Sequence, residues 1–372
     1  MRESPLRVLI VDDSSTVRRL LADLIAEVPD MTVVGEARDG QEAISLARRL
    51  KPDIVSMDIQ MPRLDGLAAT RWLMEHAPLP IVIVSGRLQR EDVDLAFLAL
   101  QAGALAVLQT PPHRNHPDFP ARRDQFINTL RTMAGVSLVR RWGQTGPLPA
   151  APDTAEPTLP PDEAYPLVIA MGASAGGPMA LHKILGALPA DFPVPVAIVQ
   201  HISEGFVDGM VRWLDGCTPL HVMQARHGQI VRPGEVVLAG SGAHLTVRQA
   251  AQGIQVVLKP EKGNSPYWPS VDVLFESVAE HFGPRAVGVL LSGMGTDGAR
   301  GLLKMWERGA RTLVQDEASC LVYGMPGAAV ELGAAEQIVP LNHVAATLLD
   351  LLQAVPRATE PPRQQKPGIA KT

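Results

Sequence analysis

From Arg7 to about Ala134 the chain alternates short apolar runs with stretches in which apolar residues recur every three to four positions. The runs are RVLIV, TVVGEA, DIVSM, IVIVS and LAVLQ. Between the first two, Val17, Leu20, Leu21, Leu24 and Ile25 fall on one helical face, and Ser14 or Ser15 is placed to cap it. Five such βα units predict a doubly wound parallel sheet.

The pattern then stops. GQTGPLPAAPDTAEPTLPPDEAYP is dense in proline and small residues and has no apolar periodicity, so it reads as a semi-extended linker over 136–164. A second α/β block, 165–352, starts at Tyr165. Its strand-like runs LVIAM, PVAIVQ, AVGVLLS and RTLVQ alternate with helical patterns such as SVDVLFESVAEHF. A β-rich insertion, QIVRPGEVVLAGSGAHLTVRQAAQGIQVVLK, interrupts it and is expected to form a hairpin. The tail 353–372, with PRATEPPRQQKPGIAKT rich in proline and polar residues, is expected to be disordered.

Bulk properties narrow the classes of partner. The 372 residues suit about two to three domains, and an apolar fraction of 46 % leaves no shortage of core. A net charge of −5 provides no basic footprint for nucleic acid or an anionic membrane. Cys217 and Cys320 are the only cysteines and lack CxxC spacing, which argues against disulfide frameworks and cysteine zinc sites. MRESPLRVLIVDDSS is too short in its apolar run for a signal peptide, and LAFLALQAGALAVL falls short of a membrane span. A cytoplasmic protein without membrane insertion is expected.

Chemistry first gathers at the strand ends of the N-terminal block. Asp12 and Asp13 end its first strand, Asp58 its third, and the carboxyl ends of neighbouring strands line the crevice of such a sheet. Three carboxylates there call for a hard cation, for which Mg²⁺ is the usual choice. That cation would also offset a phosphoryl group arriving at Asp58, whose carboxylate can act as nucleophile. Ser85, ending the fourth strand, is placed to hydrogen-bond the phosphoryl group.

In the second block, LVIAMGASAGGPMALHKI sets a glycine-rich turn between a strand and a helix. A Rossmann GxGxxG would need glycine at Ser174, and a Walker A loop would need lysine at Pro178, so both phosphate templates fail. Gly172-Ala173-Ser174-Ala175-Gly176 does match G-x-S-x-G, a turn that exposes a serine hydroxyl. A serine needs a base, and the base an orienting group. His201 follows the next strand in VAIVQHIS, and Asp297 lies in the glycine-rich loop SGMGTDG after another. That loop can also aim the Met294 amide at a developing oxyanion. The order Ser…His…Asp departs from the Ser…Asp…His of α/β-hydrolases. His182, His221, His227, His244 and His281 have no comparable placement and are read as surface or structural.

With VDDS, MDIQMPRLDG and IVIVS together, residues 5–135 resemble a two-component receiver domain, the flavodoxin-like fold of CheY with five parallel strands. The resemblance makes Asp58 the phosphoacceptor, surrounds the metal with Asp12, Asp13 and the Gln60 carbonyl, and makes Ser85 the switch hydroxyl. Two positions depart from it: Thr110 stands where receivers usually carry lysine, and Val107 where an aromatic is frequent. Arg114 is a candidate to stand in for that lysine. GASAGGPMAL, VQHIS, LLSGMGTDGARGL and VQDEASCLVYGMPGAA resemble the catalytic domain of the CheB chemotaxis methylesterases. The expected architecture is therefore a receiver, a linker and a doubly wound α/β methylesterase domain.

That resemblance implies hydrolysis of glutamate methyl esters on chemoreceptors, with deamidation of glutamines by the same route and no cofactor for the esterase. Ser174 would be the nucleophile, His201 the acid–base and Asp297 its orienting group, with Met294 in the oxyanion hole. A chemotaxis histidine kinase would phosphorylate Asp58, relieving a block of the esterase by the receiver. Ala175 replaces a threonine frequent in the family. One alternative stays open, an adaptor whose esterase domain only binds receptors or kinase. A transcription factor would need a basic helical output module, which the mildly acidic block 165–352 is not.

Overall fold

The computed structural model describes residues 4–86, 90–136, 167–260 and 267–353. Apart from Val136 and Gln353, the segments expected as linker and tail lie outside them. The N-terminal unit runs β1 (Leu6–Val11), α1 (Ser15–Ala26), β2 (Met31–Ala37), α2 (Gly40–Leu50), β3 (Ile54–Met57), α3 (Gly66–His76), β4 (Ile81–Ser85), α4 (Arg90–Gln101), β5 (Ala106–Gln109) and α5 (Phe119–Met133). Its strands form one parallel sheet in the order β2-β1-β3-β4-β5. The inner strands β3 and β4 are buried along their whole length, as helices on both faces of a parallel sheet require. Ser14, rather than Ser15, caps α1, its hydroxyl accepting from Val17 N. Asp39 and Asp65 cap α2 and α3 in the same way.

The second unit runs β6 (Val168–Ala173), α6 (Gly177–Gly186), β7 (Val196–Gln200), α7 (Val207–Cys217), β8 (His221–Gln224), β9 (Ile230–Val231), β10 (Glu235–Leu238), β11 (His244–Ala250), β12 (Gly253–Lys259), α8 (Val271–Phe282), β13 (Ala286–Leu290), α9 (Ala299–Glu307), β14 (Arg311–Gln315), α10 (Met325–Glu331), β15 (Gln337–Val339) and α11 (Val344–Gln353). Seven parallel strands form its main sheet in the order β15-β14-β13-β6-β7-β10-β8. The β-rich stretch 229–259 is therefore not a single insertion. Its segment Glu235–Leu238 is a strand of the main sheet, paired Val236↔Val196 and Val236↔Val222 with β7 and β8. Only β9, β11 and β12 form the separate antiparallel sheet, with β11 and β12 as the hairpin. The short strands β8 and β15 escape the apolar-run criterion because each has only three or four residues and lies at a sheet edge.

Strand order places the site. The chain leaves β6 for β7 on one side and later returns to β13 on the other, so β6 marks a topological switch. Crevices that take ligands open there, at the carboxyl ends of the strands. The loops after β6, β7 and β13 carry Ser174, His201 and Asp297 into this crevice.

The receiver-like unit lies against the same edge. Helix α4 packs on α7 where Gly209 has no side chain: a Cβ there would stand 2.0 Å from Val93 Cγ1. Phe97 stacks on Trp213, with ring centroids 5.2 Å apart, and Arg212 pairs with Asp94 at 3.0 Å. From α5, Gln125 donates to Ser203 Oγ at 3.5 Å, and the Thr132 hydroxyl reaches Met294 Sδ at 3.0 Å. Ala175, Leu321 and Val322 pack on the apolar cluster that holds Phe126, Leu130 and Met133 of α5.

Candidate active site

The turn after β6 is built from close contacts. Gly176 takes φ 80°, a left-handed conformation that side chains resist, and stands at the N-cap of α6. At Gly177 a Cβ would collide with Gln200 Oε1 at 2.0 Å, so only glycine lets the strand end β7 come so near. Ser174, half-buried, sits between these glycines and the end of β6, just before the positive end of the α6 dipole. Its N–H donates to Ser292 O at 3.0 Å, tying the elbow to the loop after β13.

His201 is the first residue beyond β7, and its N–H donates to Ala173 O at 2.9 Å. Its Nε2 meets Asp297 Oδ2 at 2.8 Å. Since an ionised carboxylate only accepts, Nε2 carries a proton, and in the neutral imidazole Nδ1 is then the acceptor nitrogen. Among the described residues no hydrogen bond joins the Ser174 hydroxyl to His201. Tyr267 lies flat on the imidazole, with centroids 4.9 Å apart and planes 3° from parallel.

Asp297 is buried and accepts four hydrogen bonds. Besides His201, they come from Ser270 Oγ at 2.7 Å, Val271 N at 2.7 Å and Asp272 N at 3.1 Å. The last three belong to the N-terminus of α8, whose orphan amides favour an anion. Burial alone would push Asp297 up; the bond and charge of His201, with Ser270 and the Val271 amide, hold it below the ordinary carboxylate range. Asp272 in turn accepts from Gly301 N at 2.7 Å, near the start of α9. Burial pushes that carboxyl up, the Gly301 amide opposes the shift, and the Asp297 charge adds to it.

Gln200 was not singled out by sequence, yet its Nε2 donates to Ser174 O at 2.8 Å and His201 O at 2.9 Å. A single buried amide thus ties the backbone of the serine to that of the histidine. The signal available was a polar residue closing the apolar run VAIVQ. His244, read as surface or structural, is buried, and its Nδ1 accepts from Ser270 N at 3.1 Å, beside the Ser270 hydroxyl that serves Asp297. His182 is half-buried beside Cys217 Sγ at 3.2 Å. The Met294 amide donates to no acceptor among the described residues, while its side chain touches Thr132.

The second cluster lies in the N-terminal unit. Carboxylate oxygens of Asp12, Asp13 and Asp58 come within 4.8 Å of one another, the first and last buried and Asp13 exposed. Three hard oxygen donors at one strand edge suit Mg²⁺, and Gln60 lines the same pocket as Asp13. Ser85 is buried at the end of β4, the strand paired with β3, and Thr110 N donates to its carbonyl at 3.1 Å. The Thr110 hydroxyl is buried with no hydrogen-bond partner among the described residues. Arg114 does not stand in for a lysine: it pairs with Glu27 and lies over the Phe119 ring at 5.9 Å. Its guanidinium is thereby directed to the far end of α1. Val107 is buried within β5. Among the described residues no helix is long and apolar enough to cross a membrane.

Comparison with known proteins falls on the same two units. The CheB methylesterase family profile matches residues 169–348, and that of the response regulator receiver domain residues 8–116. Over 348 residues the chain is 45 % identical to the protein-glutamate methylesterase/protein-glutamine glutaminase 4 of Myxococcus xanthus, spanning 94 % of this chain and 97 % of that protein. It is 43 % identical to the corresponding protein 4 of Geobacter metallireducens, spanning 93 % of this chain and 98 % of that one. To the protein-glutamate methylesterase/protein-glutamine glutaminase of Nitrosospira multiformis it is 42 % identical, spanning 93 % and 97 %.

Proposed function

The chain belongs to the CheB family of response-regulator protein-glutamate methylesterases/protein-glutamine glutaminases, and we propose that Ser174, His201 and Asp297 carry its hydrolysis. The observation that bears the reading is the His201–Asp297 bond of 2.8 Å, at strand ends adjoining the Ser174 turn. It leaves one ring nitrogen, Nδ1, to serve the serine.

Ser174 Oγ attacks the γ-carbonyl of a glutamate methyl ester on a chemoreceptor while His201 Nδ1 takes the hydroxyl proton. The charge that forms on the imidazole faces the Asp297 carboxylate, already ionised by its four donors. Charge on the carbonyl oxygen is met by the Met294 amide and the start of α6, both of which cost no rearrangement. Collapse breaks the C–O bond, and His201 returns its proton to the leaving methoxide, releasing methanol. Water then attacks the acyl-serine with His201 again as base, freeing Ser174 and a glutamate carboxylate. A glutamine follows the same path with ammonia as the leaving group. Contacts between nucleophile and base commonly tighten only with substrate bound, consistent with the separate Ser174 hydroxyl.

The receiver supplies control. Asp12, Asp13, Asp58 and the Gln60 carbonyl would hold Mg²⁺, which offsets their charge and that of an incoming phosphoryl group. Asp58 accepts phosphate from a chemotaxis histidine kinase in the cytoplasm, with Ser85 hydrogen-bonding the product. Before that, α4 and α5 lie on α7, Ala175 and Met294, which bars a receptor from the crevice. Without a lysine at Thr110 the signal from Asp58 to this seam is weakened.

Methanol release from methylated receptor-bearing membranes tests the reading. Intact protein should release it and Ser174→Ala should not. No release from either protein, phosphodonor present, would leave the adaptor role.

A further inference from the structure

Tyr267 takes no part in the steps above, yet it lies directly on the base. Its ring is parallel to the imidazole within 3° at a centroid distance of 4.9 Å, inside the range of favourable ring stacking. The phenol end is held as well. A Cβ on Gly295 would stand 2.4 Å from Tyr267 Oη, so the hydroxyl fills the space beside the loop that carries Met294 and Asp297. Three residues later the same segment supplies Ser270 and Val271 to Asp297.

One hydrogen bond fixes one atom of an imidazole and leaves the ring free to pivot about it. A stacked plane removes that freedom, and the two restraints together aim Nδ1. The ring face also carries negative charge density, which is worth more once the imidazole is protonated than before. Such an interaction grows on the way to the transition state and so acts on turnover rather than on binding.

We infer that Tyr267 is a positioning residue for the general base, holding His201 in plane and favouring its protonated form during acyl transfer. The inference rests on His201 being the base. It therefore calls for one measurement that depends on catalysis and one that does not.

In the full-length protein, Tyr267→Phe and Tyr267→Leu are compared for methanol release per active serine, titrated with a serine-directed phosphonate. The His201 ring signals are followed in parallel in histidine-labelled protein, assigned through His201→Gln. The phenylalanine variant should keep kcat within about twofold. The leucine variant should lose about 2- to 12-fold in kcat, the range a ring stack supports, with KM unchanged. The upfield ring-current shift of His201 should survive in the first and vanish in the second.

A leucine variant with full kcat overturns the inference, as does a loss that phenylalanine fails to rescue or one confined to KM. A purely structural role would lower the fraction of titratable serine and leave kcat per site intact. If Tyr267→Leu does not fold, Tyr267→Met supplies the same comparison. Should Ser174→Ala stay active, the esterase assignment falls first; with Ser174→Ala inactive and Tyr267→Leu fully active, only the role of Tyr267 falls.

Discussion

Replacing Asp297 by asparagine probes the centre of the site with almost no change of shape. The carboxylate accepts two bonds on each oxygen: His201 Nε2 and Val271 N on Oδ2, Ser270 Oγ and Asp272 N on Oδ1. An amide can serve only one of those sides. With its oxygen toward Ser270, the NH₂ faces Val271 N–H and strands it, and His201 must accept at Nε2. The imidazole proton then moves to Nδ1, the nitrogen needed as base. With the oxygen toward His201 the tautomer survives, but Asp272 N–H is stranded and no charge faces the imidazolium. A stranded buried amide costs about 1–3 kcal/mol. Losing the ionised partner of a triad histidine costs about 10⁴-fold in kcat. Asp297→Asn should therefore show kcat down by about that factor, KM within about threefold, and a thermal midpoint lowered by a few degrees. The assay is methanol release under saturating receptor, beside ¹⁵N shifts of the His201 ring. Turnover above about a tenth of wild type would refute this account of Asp297.

Four other outcomes follow from the same geometry. Because the folded-state pKa of Asp297 is lowered, its contribution to stability is fully present above the ordinary carboxylate range and is lost as pH falls through the folded value. The difference in thermal midpoint between wild type and Asp297→Asn should thus be largest above about pH 5 and shrink on acidification, as unfolding scans across pH would read. Gly209→Ala places a Cβ 2.0 Å from Val93 Cγ1 on the α4–α7 seam while suiting the helix, so esterase activity without phosphodonor should rise, and unchanged basal release would count against the seam as a block. Labelling by a small phosphodonor should disappear on chelating Mg²⁺ and in Asp58→Asn, read by intact mass. Burial pushes the Cys217 thiol up and the Cys320 thiol up to about 12, so both should alkylate slowly in the folded protein at pH 8 and rapidly in urea.

Much of this protein was legible in the order of its residues. Parallel strands buried on both faces leave continuous apolar runs, which is why RVLIV, IVIVS, LVIAM and VAIVQ mark β1, β4, β6 and β7 within a residue or two. Residues just past those runs sit at the carboxyl edge of the sheet. That rule of topology is enough to place Asp12, Asp58, Ser174, His201 and Asp297 at two crevices.

What the tertiary structure alone decided depends on contacts between segments far apart in the chain, which no local pattern records. The strand Glu235–Leu238 belongs to the main sheet because it pairs with Val196 and Val222, not because of its composition. Edge strands such as Gln337–Val339 are too short for periodicity to register. Gln200, Tyr267 and Ser270 meet partners 26 to 66 positions away, and Arg114 is claimed by Glu27 across the fold. Sequence spacing names the candidate groups for chemistry when each follows its own strand. It is silent on the groups that aim them, because aiming requires a second segment whose approach only packing determines.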